Sequence, residues 1–471
     1  MYLSFRLFDF HLPDIVKESL LFFILLSYTT KTIAMSYPVR IAMIAALGGF
    51  LFGFETAVIS GAEQTIEKLW GLTPNQLGLT VASSLFGTVL GSMIAGIPAQ
   101  RFGRKKVLFA IALMYVISSI GCAMSSGLFI FILFRFIGGV AVGASSVVGP
   151  MYISEIAPAH LRGRLAGSFQ LNIVLGIFVA YISNYFFAGS GEDSWRWMLG
   201  IMVVPAGLFA ILVRTIPESP RWLILNHETD KAIPIMNRIG EVDPQKAIED
   251  IRASVTSTTE KLFQPKYSKP IIFAVVLAMF NQLSGINAII YYSKRIFEMA
   301  GFDSSNAYLQ SIYIGTANLV FTLLAMTLID KFGRKKLLLI GSVGMIIFLG
   351  MTAFAFKDPG ITNPNVVWYL IGFIAFFAFS QGAVIWVFIS EIFPNSVRSQ
   401  GGSLGSFTHW IMAAIISYAF PVIVKSSPNG GYYSFIFYTI MMILHLIFVW
   451  RFLPETKGKS LEKIQAELGI S

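Results

Sequence analysis

Charge is scarce in this chain: Asp, Glu, Lys and Arg make up 13% of 471 residues, against about a quarter in soluble domains. So little polar surface argues against a water-soluble fold. There is one cysteine, Cys122, which excludes an intramolecular disulfide and reads as a packing thiol. No nucleophile–base pair, metal-ligand spacing or phosphate-binding glycine loop occurs, so neither an enzyme nor a cofactor is expected. Apolar residues are abundant, at 55%, in separated runs. Each run is about twenty residues long, enough to cross about 30 Å of hydrocarbon as a helix. Twelve spans are expected, starting near Ile41, Gly78, Val107, Leu128, Ala166, Met198, Pro270, Leu309, Leu337, Val366, Gly401 and Ser434. The reading is an all-α membrane protein.

The net charge of +10 could suggest a polyanion partner, but its distribution argues otherwise. Of the 35 Lys and Arg residues, 28 lie in the N-terminal stretch, the even-numbered loops and the tail; six lie in or beside odd-numbered loops. One, Arg135, lies inside a span. That asymmetry places both termini in the cytoplasm and leaves no call for nucleic acid. The partner it implies is the lipid bilayer. Residues 1–34 contain an apolar stretch, Leu20–Leu26, too short to span, and no convincing signal-peptide cleavage site. They fit either an interfacial helix or an over-extended start, and no role is assigned to them. The interval 217–269 is polar and mixed in charge. Asp230–Ile239 and Pro244–Val255 within it suit short amphipathic helices, so it reads as a linker.

The two sides of that linker repeat one another. Arg101-Phe-Gly-Arg-Lys-Lys106 is echoed by Lys331-Phe-Gly-Arg-Lys-Lys336. Ser154-Glu-Ile-Ala-Pro158 with Arg162 is echoed by Ser390-Glu-Ile-Phe-Pro394 with Arg398. Pro217-Glu-Ser-Pro-Arg221 has its counterpart in Pro454-Glu-Thr-Lys-Gly458. One six-helix bundle is written twice, over 35–216 and 270–453, with a cytoplasmic tail from 454 to 471. Duplicated bundles of this kind surround a central site in many secondary transporters.

Two features inside the spans carry chemistry. Glu55 is the one acidic residue well inside an expected span and Arg135 the one basic residue. A charge at mid-membrane costs about 2.5–3.5 kcal/mol on insertion scales, so both should face the interior and meet. A carboxyl whose arginine contact changes between two conformations binds a proton in one and releases it in the other. The other reading is a static ion pair pinning two helices. The seventh span holds Asn281, Gln282 and Asn287, followed by Tyr291 and Tyr292. Amides offer donors and acceptors without fixed charge, which suits neutral hydroxyls. On an unbroken helix Gln282 and Asn287 would point about 140° apart, but Gly285 permits a break that turns both towards one cavity. Polar packing between helices is the plainer alternative. In the loops, Gly103 and Gly333 allow tight turns, and Arg101, Arg104, Lys331 and Arg334 are expected at helix ends where the dipole is negative.

The run Gly48-Gly-Phe-Leu-Phe-Gly-Phe-Glu-Thr-Ala-Val-Ile-Ser-Gly61 resembles the first helix of the sugar porters of the major facilitator superfamily. So do Pro150–Gly163, Pro217–Leu223, Asn281–Asn287 and Pro454–Gly458 in their positions, and the resemblance extends from about Ser36 to the C-terminus. The chain is most similar to bacterial sugar–proton symporters, xylose–proton symporters among them. That resemblance implies the twelve-helix major facilitator fold and alternating-access uptake of a monosaccharide, pentose or hexose, with a proton. It also implies a monomer in the bacterial inner membrane. A uniporter and, less readily, a membrane sugar receptor remain alternatives. Glu55 stands where the symporters carry a proton-linked aspartate, and Arg135 matches their arginine. Gln282 and Asn287 match sugar-binding amides, with Asn281 where glutamine is usual. Gln170, Asn318, Trp386 and Trp410 match further sugar contacts. His409, Ala383 and Ile177 depart from the symporter pattern, which leaves the sugar open. The resemblance also implies a cytoplasmic gate in which the turn arginines Arg101, Arg104 and Arg334 pair with Glu155, Glu218 and Glu391. Arg162, Arg398 and Asp330 belong to that network.

Overall fold

The structure, a computed structural model, describes residues 36–470 apart from 159–160, 254–259, 359, 395 and 460. The reading of residues 1–34 lies outside the described residues. Among the described residues, twelve helices are long and apolar enough to cross a membrane. The first six are Tyr37–Trp70, Pro74–Ile94, Arg104–Met124, Leu128–Ile156, Arg162–Phe187 and Ser194–Val213. After the linker come Pro265–Tyr291, Ser304–Leu328, Arg334–Ala355, Val366–Ile389, Arg398–Ser426 and Gly430–Phe452. They are referred to below as the first to the twelfth span. Most begin a few residues ahead of their apolar run, because capping turns are polar. Thr73 and Gln76 form a capping box at the second span, for example.

The first span outruns the membrane. Its 34 residues reach about 50 Å at 1.5 Å per residue, and they stop at Gly71, which takes the left-handed conformation. Its last turns therefore carry Glu63 and Glu67 well past Glu55.

Glycines set the packing of the N-terminal half. A Cβ on Gly53 would lie 1.8 Å from the Ile173 carbonyl oxygen, and one on Gly176 would lie 2.1 Å from that of Phe50. The first and fifth spans thus touch backbone to backbone. The second and fourth do the same, with Gly87 and Gly91 against Phe136 and Val140, and Gly139 and Gly143 against Ser84 and Thr88. Spaced small residues are how membrane helices approach most closely. In the C-terminal half, glycines such as Gly344 and Gly372 instead seat the rings of Phe376 and Phe348. Two of its helices are irregular. The seventh breaks at Gly285, and the tenth contains a π turn at Ala378–Gly382.

Within the linker, helices Thr229–Ile239 and Pro244–Ala253 bury Ala232, Met236 and Ile248 against Leu223 and Ile224. The Arg238 guanidinium lies over the Tyr37 ring at 3.9 Å, which ties the linker to the start of the first span. Twelve crossings return the chain to that same side, termed the linker face here.

Candidate functional site

The N-terminal half places an ion pair in its apolar interior. Glu55, in the first span, is 3% exposed and Arg135, in the fourth, is wholly buried. The Arg135 Nη1 donates to Glu55 Oε1. Its Nε and Nη2 meet no acceptor among the described residues, so Glu55 is what compensates the buried cation. Gly138, one turn along the fourth span, leaves the space the carboxylate occupies. A Cβ there would lie 3.1 Å from Glu55 Oε1 and 2.4 Å from Ser118 Oγ.

The C-terminal half answers with amides. Gly285 has φ +83°, a conformation glycine adopts without strain, and the helix restarts at Ile286. The restart brings the two amides together: Asn287 Nδ2 donates to Gln282 Oε1 at 2.8 Å. Gln282 Nε2 donates to Asn281 Oδ1 at 3.0 Å and lies 3.1 Å from His409 Nε2. Asn281 Nδ2 reaches the Gln381 carbonyl, in the π turn, at 3.3 Å. The His409 ring packs between Trp386 and Trp410, with centroids 4.9 and 4.7 Å away. Trp410 meets Phe52 of the first span at 5.4 Å, so this cluster faces the other half. Tyr291 is buried with its hydroxyl beside Thr56, the residue next to Glu55. Asn318 is buried in the eighth span and Gln170 half-buried in the fifth. The described hydrogen bonds do not join either of them to the amide cluster.

At the linker face the two halves repeat one construction. Arg104 donates to both oxygens of Glu155, at 2.9 and 2.8 Å, and Arg334 to Glu391 at 2.9 Å. Glu218 accepts from the backbone N–H groups of Arg104 and Lys105, and Glu455 from those of Arg334 and Lys335. Each acid caps the positive end of a helix. The expected dipole argument is corrected here for Arg104 and Arg334. Both are the first residues of the helices that follow Gly103 and Gly333, the electropositive ends, and the acids offset that placement. Burial pushes the Glu218 carboxyl up from its ordinary value, against the opposing pull of the Ser219, Lys105 and Arg104 amides. Arg101 lies over the ring of its neighbour Phe102, and Arg162 is exposed. The described contacts bring neither to an acid. Arg398 donates to the Phe393 carbonyl at 3.3 Å. Asp330 lies on the eighth helix, with its side chain outside what is described. These pairs sit within single halves. The ion pairs described between halves, Arg295 with Glu63 and Glu67 and Lys425 with Glu67, lie on the opposite face.

Sequence reasoning passed over Glu455, although the Pro454-Glu-Thr-Lys-Gly458 phrase already mirrored the one holding Glu218. It also passed over Glu63, Glu67, Arg295 and Lys425, because they stand at span ends, where charge is ordinary.

The family described as "Sugar (and other) transporter" matches residues 41–468. An arabinose–proton symporter of Bacillus subtilis is 36% identical over 447 residues, 93% of this chain and 96% of that protein. A D-xylose–proton symporter of Escherichia coli is 37% identical, over 92% of this chain and 96% of that one. The inward-open structure of the xylose transporter from E. coli superposes with a TM-score of 0.81 at 36% identity, covering 92% of this chain and all of that one. The chain belongs to the sugar transporter family. It is a multi-pass membrane protein with the helical architecture of those relatives.

Proposed function

We propose that this protein takes up a monosaccharide together with a proton, by alternating access between its two halves. The observation that carries the proposal is the adjacency of two unlike sites. A buried, titratable Glu55–Arg135 pair lies in one half, and a neutral amide and aromatic cluster in the other. Tyr291, on the restarted seventh span, stands next to Thr56 and so links them. Arg135 and Glu55 serve as the proton site. Gln282, Asn287, Asn281 and His409 hold sugar hydroxyls, while Trp386 and Trp410 cover the apolar face of the ring. Gln170, Asn318 and Tyr291 complete the pocket. Named relatives that carry arabinose or xylose with a proton support this reading.

Sidedness follows from the basic loops: the linker face is cytoplasmic, both termini are inside, and the chain works as a monomer in a bacterial inner membrane. It acts as a carrier and makes or breaks no covalent bond in the sugar. The driving force suffices in kind, since one charge crossing 100 mV is worth about 2.3 kcal/mol. The test is uptake of a panel of labelled pentoses and hexoses into vesicles with and without a proton gradient. Concentrative uptake of at least one sugar, abolished by collapsing the gradient, is expected. Equilibration without concentration would make the protein a uniporter.

A further inference from the structure

Six cations lie in or beside the odd-numbered loops, and three of them, Lys294, Arg295 and Lys425, gather at one place on the face opposite the linker. Topology gives no reason for cations there, since that face carries the fewest. Arg295 and Lys425 meet acid from the other half, while Lys294 pairs with Glu298 on its own helix. Arg295 grips Glu63 with two donors, Nε at 2.9 Å and Nη2 at 2.5 Å, and extends Nη2 to Glu67 at 2.6 Å. Lys425, at the end of the eleventh span, pairs with Glu67 from the other side. Lys294 donates to Gln64 at 3.1 Å, and Tyr308 donates its hydroxyl to the Gly61 carbonyl at 2.9 Å.

Position gives this cluster a mechanical meaning. Glu63 and Glu67 ride on the first span, the same helix as Glu55. Arg295 rides on Ser293–Met299, the continuation of the restarted seventh span that carries Asn287 and Tyr291. The pairs at the linker face lie within single halves in this structure. The pairs here cross between halves, and opening this face must part them. The Glu63 side chain is wholly buried, which makes parting costly. A cavity of about 580 Å³ bordered by Gln64, Glu67, Arg295, Glu298 and Lys425 lets water reach the rim of the cluster. Opening can therefore begin at Lys425 and Glu67, the more exposed pair, before the buried grip yields.

We propose that Glu63, Glu67, Arg295 and Lys425 are the outer gate of the transport cycle, an ionic latch that holds this face shut and sets how often it opens. The proposal rests on the transport reading for its purpose, but not for its test. Spin labels at Leu69→Cys and Ser305→Cys, in a Cys122→Ser background, would report the distance across this face in full-length protein in nanodiscs. The closed distance should dominate in the parent. Arg295→Gln and Glu63→Gln should each raise the ratio of open to closed forms by about tenfold or more, and Lys425→Gln by less, since it is exposed. The exchanged pair Glu63→Arg with Arg295→Glu should return most of the closed population, which a role in helix stability alone would not predict. Unchanged distance distributions in all three single variants would overturn the latch. So would an exchanged pair that stays as open as the singles. Sugar uptake by the parent tests the transport reading separately, so the two can fail independently.

Discussion

The two halves share a plan but not a chemistry. At the centre of the N-terminal half sits a full charge pair, Glu55 and Arg135, in a setting where neither has another partner of opposite sign among the described residues. The C-terminal half instead has amides, an imidazole and two indoles, all usable without ionisation. Charge in hydrocarbon is expensive and responds to a single proton; amides are cheap to bury when mutually bonded and respond to hydroxyls. On the proposed reading, one copy of a duplicated bundle serves the ion and the other the neutral cargo.

The sharpest way to break that division is Glu55→Gln, which keeps volume and a hydrogen bond to Arg135 but removes the titratable group. Gradient-driven accumulation should vanish, while exchange between sugar-loaded vesicles largely persists, because the amide resembles the protonated state. Retained accumulation would take the proton away from Glu55. Arg135→Ala should impair both modes, measured in the same vesicles.

Next in size are the amides. Gln282→Ala and Asn287→Ala should each weaken sugar binding by roughly 1–3 kcal/mol, about 5- to 150-fold, by stranding the partner amide as well as the sugar. Calorimetry on purified protein would measure it, and proton coupling should remain in whatever transport survives. Equal affinity in both variants and the parent would remove the seventh span from the sugar site.

The linker face offers a gentler test. Neutralising Glu155 and Glu391 together should shift the protein towards forms open on that face, by several-fold in cysteine accessibility, since Arg104 and Arg334 lose the acids that position them. Unaltered accessibility would assign those charges to topology alone. The smallest effect tests symmetry itself. Gly103→Ala and Gly333→Ala each push a methyl towards a capping acid, 2.3 Å from Glu218 Oε2 and 2.8 Å from Glu455 Oε2, at φ near +90°. Both should lower the melting temperature by a few degrees, and by similar amounts. A large difference between them would show that the two linker-face constructions are not equivalent.

Much of this architecture was legible because the membrane enforces it. Span number and order follow from apolar runs, and the duplication from the paired turn motifs. The meeting of Glu55 with Arg135 follows from the cost of leaving either alone in lipid. The break at Gly285 was readable as a permission that the φ of +83° then shows in use. Other features left no such mark. The position of Arg104 at a helix start, and not a helix end, depends on where Gly103 turns the chain, which periodicity does not locate. The partners of Arg295 lie 228 and 232 residues away along the chain. Only the docking of one half on the other brings them together. The π turn at Ala378–Gly382 adds one residue per turn without any proline or glycine run to announce it.

The glycine seams of the N-terminal half have a consequence for stiffness. With main chain against main chain at Gly53, Gly176, Gly87 and Gly139, there is no soft side chain between helices to take up a displacement. The first span cannot slide along the fifth without driving a helix into a carbonyl row. That half should therefore behave as a lever, while the C-terminal half, with its interrupted seventh span and loosened tenth, behaves as the spring. Glu55 stands two residues beyond Gly53, on the rigid arm. If Glu55 takes up the proton as proposed, the rigid arm should carry its displacement as a whole, and the bending should fall on the interrupted seventh and tenth spans.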